Sequence, residues 1–353
     1  MPKRISKAEQ EIRSMAQEEV EFSPESLLAL LKKNPAKVSD LARHFVRQEH
    51  EILEAIGNLH ETGYLVTLMG DKWTVTKAPP TGTVDHIYES DKDGWYHFGC
   101  CSDQHLGSKY ERLDVLEDVY DRFLNEGVTR VYNSGNWIEG ESRFNKHELL
   151  IHGMDAQLDY LVEKYPEREG IDTYAIAGDD HEGWYAQREG INIGKHAATR
   201  MVDAGRTDWH DLGYIECFVQ LKHKQSGKTA QMSVMHPGGG SSYAVSYRPQ
   251  KIVESFAGGE KPAVLLIGHY HKMSYNVFRN VHCLQPGTTQ DQSTFMRKKQ
   301  LHADVGACVC WLHQDEKTGA IDRCRVEFWQ YFVKGYYNNR WNMGGKVTQT
   351  KRK

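Results

Sequence analysis

Val264-Leu265-Leu266-Ile267-Gly268-His269-Tyr270-His271 runs four apolar residues into a glycine and two histidines one residue apart. The apolar run reads as a buried strand, and the glycine marks its end. Working outward, four more stretches repeat the arrangement. They are Asp103-Gln104-His105 after an apolar run near 95–101, Gly135-Asn136-Trp137-Ile138-Glu139-Gly140 after 129–133, Gly178-Asp179-Asp180-His181-Glu182 after 172–177, and Met235-His236-Pro237 closing 229–235. Each puts oxygen or imidazole ligands where a sheet ends and a loop begins, the usual place for a ligand site in open α/β sheets. A mixed His and carboxylate set suits Mn, Fe or Zn, whereas all-oxygen sets suit Mg or Ca. Two such ions would clamp both oxygens of an in-line phosphoryl displacement.

In order and spacing these blocks resemble the calcineurin-like metallophosphoesterase superfamily, whose pattern is D-x-H, G-D-x-x-D/E, G-N-H-D/E, a lone His and G-H-x-H. The likeness spans roughly residues 93–333. A single D-x-H occurs by chance in many proteins, but five blocks in order are specific. The resemblance implies an α/β chain folded as a two-sheet αββα metallophosphoesterase sandwich. It implies Asp103, His105 and His271 as ligands of one ion, with Asp180, His236 and His269 on the other and Asn136 between them. The expected cofactors are two divalent metal ions, Mn foremost, with Fe or Zn as alternatives. His181 would face the leaving group as general acid, or orient the phosphate. Glu139 stands where many relatives place the carboxylate that pairs with this histidine.

Two positions depart from the pattern reciprocally. The bridging Asp is Asn136, and the Asn before the catalytic histidine is Asp180. A neutral amide oxygen is a poor bridge between cations, while Asp180 returns one negative charge to the same pocket. The exchange reads as a variant that keeps ligand count and net charge; the alternative is a disabled site. Serine/threonine phosphatases of the superfamily carry arginines where this chain has Gly140 and Ala177, which weakens a phosphoprotein reading. The lone His236, followed by Gly238-Gly239-Gly240, and the final G-H-x-H look more like bacterial and archaeal double-strand-break repair nucleases or small phosphodiesterases. The variant motifs together also resemble phosphoesterases encoded by bacteriophages. The expected function is therefore a metal-dependent phosphodiesterase with nucleic acid as substrate. Alternatives are a phosphomonoesterase and a catalytically silent nucleic-acid- or protein-binding scaffold.

Composition bounds the rest. The 353 residues exceed one hydrophobic core, and 39% hydrophobic with 26% charged residues describes a soluble globular chain. A net charge of −4 excludes a general electrostatic nucleic-acid binder. Seven scattered cysteines argue for core thiols in a reducing, cytoplasmic setting, the host cytoplasm if the chain is phage-encoded. No apolar run is long enough to span a membrane, and none is expected as a partner.

The organisation expected is a helical extension at 1–22, a winged-helix-like module at 23–78, a linker at 79–92, the metallophosphoesterase domain at 93–333 and a basic tail at 334–353. The module's third helix carries Glu49, Glu51, Glu54 and Glu61 against Arg47. Residues 1–80 hold 11 basic and 12 acidic residues, a net of −1. Such a helix is repelled by phosphate, which favours a protein partner or substrate positioning, with DNA contact through Lys37, Arg43 or Lys72 as the alternative. The tail has six Lys and Arg, no acid and interleaved Tyr336, Tyr337 and Trp341. That suits single-stranded nucleic acid or a solubilising tail. Within the large domain the patterns predict helices near 112–126, 147–164, 190–202 and 242–257. Strands are expected at 215–222, 263–267, 273–279 and 305–312. Glu141, Arg143, Asn145 and His147 fall on a loop that either lines the cleft or faces solvent. Trp184 and Tyr185 offer a stacking platform or core packing.

Overall fold

The structure, a computed structural model, describes residues 22–75, 86–257, 259 and 261–332. The expected helical extension at 1–22 lies outside these apart from Phe22, as do all of the basic tail and the first half of the linker. The chain divides into two compact units.

The first unit holds three helices and a hairpin: α1 Pro24–Lys33, α2 Val38–Phe45, α3 Glu49–Glu61, β1 Val66–Met69 and β2 Lys72–Val75. Ser23 caps α1 by accepting from the Ser26 amide, and Pro24 needs no partner at the first turn. Leu27, Leu31, Leu41, Ile52, Ile56, Leu59 and Val66 make its core. Residues 187–192 belong to this unit as well. Their main chain pairs with it, Leu65 N donating to Gly190 O and Asn192 N to Gly63 O.

The second unit contains β3 His86–Glu89, β4 Trp95–Cys101, α4 Leu113–Asn125, β5 Arg130–Asn133, α5 Met154–Lys164, β6 Asp172–Ala177, α6 Glu182–Glu189, α7 Ile193–Asp203, β7 Trp209–Tyr214, β8 Glu216–Lys222, β9 Thr229–Met235, α8 Tyr247–Ser255, β10 Val264–Ile267, β11 Met273–Phe278, β12 Val281–Pro286, α9 Thr294–Lys298, β13 Val305–Gln314 and β14 Ile321–Tyr331. The last residues of α6 fall in the first unit. Two six-stranded sheets run in the orders β11-β12-β10-β9-β8-β3 and β14-β13-β4-β5-β6-β7.

Between the sheets, Phe98, Tyr132, Val219, Val234, Leu266, Cys308 and Cys310 form the main core. Outside the first sheet, Val253 of α8 packs with Leu265, Ile267 and Val281. Outside the second, Phe123 of α4 covers Gly99 so closely that a Cβ there would lie 2.5 Å from its ring. The result is the αββα sandwich expected. All seven cysteines are free, and six are buried. No helix of the described residues is long and apolar enough to cross a membrane.

Several elements differ from expectation. The helix predicted from 147 begins at Met154, because Leu149 and Leu150 bond back to Ser108 and Gly107, and Gly153 at φ 85° sets the start. The helix predicted over 242–257 is shortened to α8. The strand predicted at 273–279 is the first arm of a hairpin, whose turn residues Arg279 and Asn280 both have positive φ, as a two-residue primed turn requires. Strand β14 was hidden by its exposed polar side chains, and β3 occupies part of the stretch expected as linker.

Candidate metal centre

The C-terminal ends of β4, β5, β6, β9 and β10 open at one edge of the sandwich, and the five sequence blocks follow them. Parallel pairing of β4 with β5, β5 with β6, and β9 with β10 brings those ends together. Six residues of these loops adopt left-handed backbone without being glycine: Asp103 (φ 54°), His105 (51°), Asn136 (54°), His181 (49°), His269 (77°) and His271 (52°). Each such residue costs of order 1–3 kcal/mol, and strain of this kind gathers where side chains must be aimed. Glycine is needed beside them for space. A Cβ on Gly178 would stand 2.7 Å from His236 and 2.9 Å from Asn136 Oδ1.

Two triads of possible metal ligands result, Asp103 with His105 and His271, and Asp180 with His236 and His269. In the first, His105 Nε2 and His271 Nε2 are 3.1 Å apart, and Asp103 Oδ1 lies 3.4 Å from His271 Nε2 and 3.8 Å from His105 Nε2. In the second, Asp180 Oδ1 is 3.4 Å from His236 Nε2, and Oδ2 is 3.3 Å from His269 Nδ1. Ligands bonded at about 2.1 Å stand roughly 3–3.5 Å apart around one ion, so both triads have the right spacing. His269 joins them. Its main-chain N–H donates to both Asp103 oxygens, at 2.9 and 3.2 Å.

The donor set fits divalent cations on a further count. Asn136 Oδ1, Asp180 Oδ1, His236 Nε2 and His269 Nδ1 are buried without a hydrogen-bond partner. Four such atoms in one place are foreign to an ordinary core. Meanwhile the other nitrogen of three histidines rests on an oxygen: His236 Nδ1 on Ser134 O (2.6 Å), His269 Nε2 on Gly239 O (2.6 Å) and His105 Nδ1 on Glu139 Oε2 (3.0 Å). For His236 and His269, donating one N–H outward fixes the tautomer that turns the second nitrogen inward, the usual state of a metal-binding imidazole.

Electrostatics follow from burial and charge. Burial opposes ionisation of Asp103 and Asp180, yet the surrounding imidazoles hold both carboxyls well below the usual range. Burial likewise disfavours a charged His236, but Asp180 and Asp103 outweigh it and lift the imidazole to about 10. Around His105, burial and the neighbouring His181 lower it to about 4.

His181 and Glu139 meet, although not as the sequence suggested. His181 Nδ1 donates to the main-chain oxygen of Glu139 at 2.7 Å, and the carboxylate is 4.0 Å away. That carboxylate serves His105 instead, and accepts from Asn145 Nδ2 and Gln290 Nε2, both at 3.1 Å. His105, Glu139 and His181 also lie close enough to hold an ion. Because these oxygens and His181 Nδ1 are already engaged, the group is better described as a hydrogen-bonded support. Burial opposes protonation of His181, but Asp180 and Glu139 prevail and raise it.

Several positioning residues had no signal in the sequence. Glu182 Oε1 accepts from the amides of Asn136 and Gly178, both at 2.8 Å, tying two blocks together. Its burial lifts its carboxyl to about 7. Ser102 Oγ donates to Asp103 Oδ2 at 2.6 Å, and Thr288 Oγ1 to Asp103 O at 2.6 Å. Among these, Glu182 alone, next to His181 at the start of a helix, had a position that hinted at this use.

A cavity of about 640 Å³ lies over the cluster. His105, Asn136, Glu139, Asp180, His181, His269 and His271 line it, while Asp103 and His236 are buried behind. Asn145 and Trp184 of the flagged residues also line it, and Trp184 packs against the His181 ring at 4.7 Å. Tyr185 is buried in the core. Gly239 and Gly240 form part of the wall.

No family model and no curated protein matches this chain. Among solved structures, an archaeal phosphodiesterase is 12% identical, over 66% of this chain and 99% of that one, with a TM-score of 0.33. The phosphoesterase YfcE of E. coli is 13% identical over 65% and 98%, with a TM-score of 0.32. A single mutant of Vps29 from Entamoeba histolytica is 12% identical over 67% and 100%, at 0.33. Likenesses this faint carry no argument about chemistry, which has to stand on the residues themselves.

Proposed function

We propose that this chain is a metal-dependent phosphodiesterase acting on nucleic acid. The observation that carries the reading is the pair of His/Asp triads, with Asn136 Oδ1 and the inward atoms Asp180 Oδ1, His236 Nε2 and His269 Nδ1 lacking protein partners, and the outward nitrogens of His236 and His269 fixed on main-chain oxygens. Asp103, His105 and His271 would hold one divalent ion and Asp180, His236 and His269 a second, and Asn136 Oδ1, buried without a partner, would be a further oxygen donor. Mn suits this donor set best, with Fe or Zn as alternatives. When bound, the ions supply an activated water and neutralise charge on the phosphoryl oxygens.

The chain's own residues do the rest. The Glu139 main-chain oxygen holds His181 Nδ1, which leaves Nε2 for the cavity. A raised imidazole placed there protonates the leaving oxygen as the ester bond breaks. Glu139, itself held by Asn145 and Gln290, fixes the His105 ring. Diester specificity is supported by the cavity wall, where Lys299 is the one Lys or Arg among the lining residues. A monoester dianion asks for more positive charge than that. The acidic α3 supports a docking role for the first unit, toward a protein partner.

The test is hydrolysis by the Mn-loaded protein of bis(p-nitrophenyl) phosphate against p-nitrophenyl phosphate. Faster diester turnover is expected. Equal or faster monoester turnover overturns the diester assignment, and no turnover of either favours a silent scaffold.

A further inference from the structure

The cluster is buried, but the mouth of its cavity is lined by exposed aromatic rings. Phe144 is 72% exposed and Phe295 58% exposed. They come from separate parts of the chain, the loop after the second block and α9. Two large apolar side chains left in water at one cavity mark a surface made for recognition. Positive charge accompanies them. The Arg143 guanidinium sits 4.7 Å over the Phe144 ring. Phe295-Met296-Arg297-Lys298-Lys299 adds three exposed cations to the other ring, and Lys299 lines the cavity itself. None of Arg143, Arg297, Lys298 and Lys299 forms an ion pair among the described residues.

Unpaired cations interleaved with exposed rings are the chemistry that holds unpaired nucleotides, since every base offers a face to stack and every phosphate a charge. A duplex keeps its bases stacked on one another, so it offers phosphates and groove edges but no base faces to a pair of exposed rings. With a net charge of −4, the chain as a whole exerts no general attraction on a duplex. The cavity volume is in the range that takes a small ligand, about 300–1,000 Å³, so it suits one or two nucleotides and not a double helix.

Resting on the phosphodiesterase reading, we propose that this rim binds single-stranded nucleic acid. Bases stack on Phe144 and Phe295, flanking phosphates meet Arg143 and the 297–299 cations, and an internucleotide phosphate reaches the His/Asp cluster.

The experiment uses the full chain and a fluorescent thymidine oligomer, with binding measured by anisotropy in chelator, so that no chemistry intervenes. Phe144→Ala with Phe295→Ala should weaken binding roughly tenfold or more. Arg143→Gln with Lys299→Gln should reduce the slope of log affinity on log salt by about 1.4, two single-strand phosphate contacts. An abasic oligomer should bind the wild type as weakly as the thymidine oligomer binds the Phe pair. Hydrolysis of methyl p-nitrophenyl phosphate, which has no base, should be unchanged in the Phe pair. Unchanged oligomer binding in the Phe pair, or duplex binding as tight as single-strand binding, overturns the proposal. A wild type that binds single strands through these residues yet hydrolyses no ester upholds the rim and overturns only the phosphodiesterase reading.

Discussion

Asp103 and Asp180 anchor the two triads, and their surroundings are unlike. The Asp103 side chain is fully buried, gripped by the Ser102 hydroxyl and the His269 amide, and its own carbonyl accepts from Thr288. The Asp180 side chain is 26% exposed, and its carboxylate meets imidazole nitrogens alone. Behind the first triad, a carboxylate backs His105; behind the second, main-chain carbonyls back His236 and His269. The first half is therefore preorganised before any cation arrives, whereas the second owes its charge to one loosely held side chain. That side chain is also where this sequence departs from the common pattern.

The contrast is broken most severely at Asp103. Asp103→Ala should abolish binding at the first triad and also destabilise the metal-free fold, because the buried imidazoles lose their counter-charge, an effect of about 3–5 kcal/mol. Asp180→Ala should cost occupancy of the second triad and also lower the melting temperature of the metal-free protein, because His236 loses a counter-charge, but by less than Asp103→Ala, since the Asp180 side chain is partly exposed to solvent. Equal melting shifts in the two variants would erase the distinction.

Next in size is His181→Ala, which removes a ring packed at 4.3 Å against His105 but no residue of either triad. Turnover of diesters with poor leaving groups should fall by about 10²–10⁴ while metal content stays the same. Loss of metal in this variant would make His181 a ligand and not an acid.

The reciprocal exchange should have a smaller but diagnostic effect. Asn136→Asp alone adds a third carboxylate to the ligand set, and Asp180→Asn alone leaves Asp103 as the one charged ligand. The double change restores the charge, so a double-mutant cycle on metal affinity should show a non-additive term of about 1–3 kcal/mol. If Asn136→Asp alone raises turnover sharply and Asp180→Asn is neutral, the positions do not compensate. The mildest expected effect belongs to Glu182→Gln. Its amide oxygen can still accept from Asn136 and Gly178, so stability should change by about 1 kcal/mol or less, read from a denaturant midpoint. A collapse of the fold would mean that the negative charge itself is required.

The sequence made the same division visible only in part. The residues of both triads were legible because each follows a short apolar run and a strand end fixes its place. Their supports were not. Gln290 reaches Glu139 across 151 residues, and Thr288 reaches Asp103 across 185, so no local pattern joins them. The Glu139 carboxylate was expected on His181 but serves His105, a choice set by loop geometry. Strand β14 escaped notice because Arg323, Arg325 and Glu327 give an edge strand the composition of a loop. Phe144 and Phe295 showed nothing unusual until the fold set both at the mouth of one cavity.

The central claim is that the two triads form a dinuclear centre with unequal halves. Mn titration of metal-free protein, followed by calorimetry and checked by elemental analysis, tests it most directly. Two ions per chain should bind in two resolved steps, with Asp180→Asn removing the weaker step and preserving the stronger. Less than one ion per chain at saturating Mn would contradict the account and leave a protein whose site holds no metal.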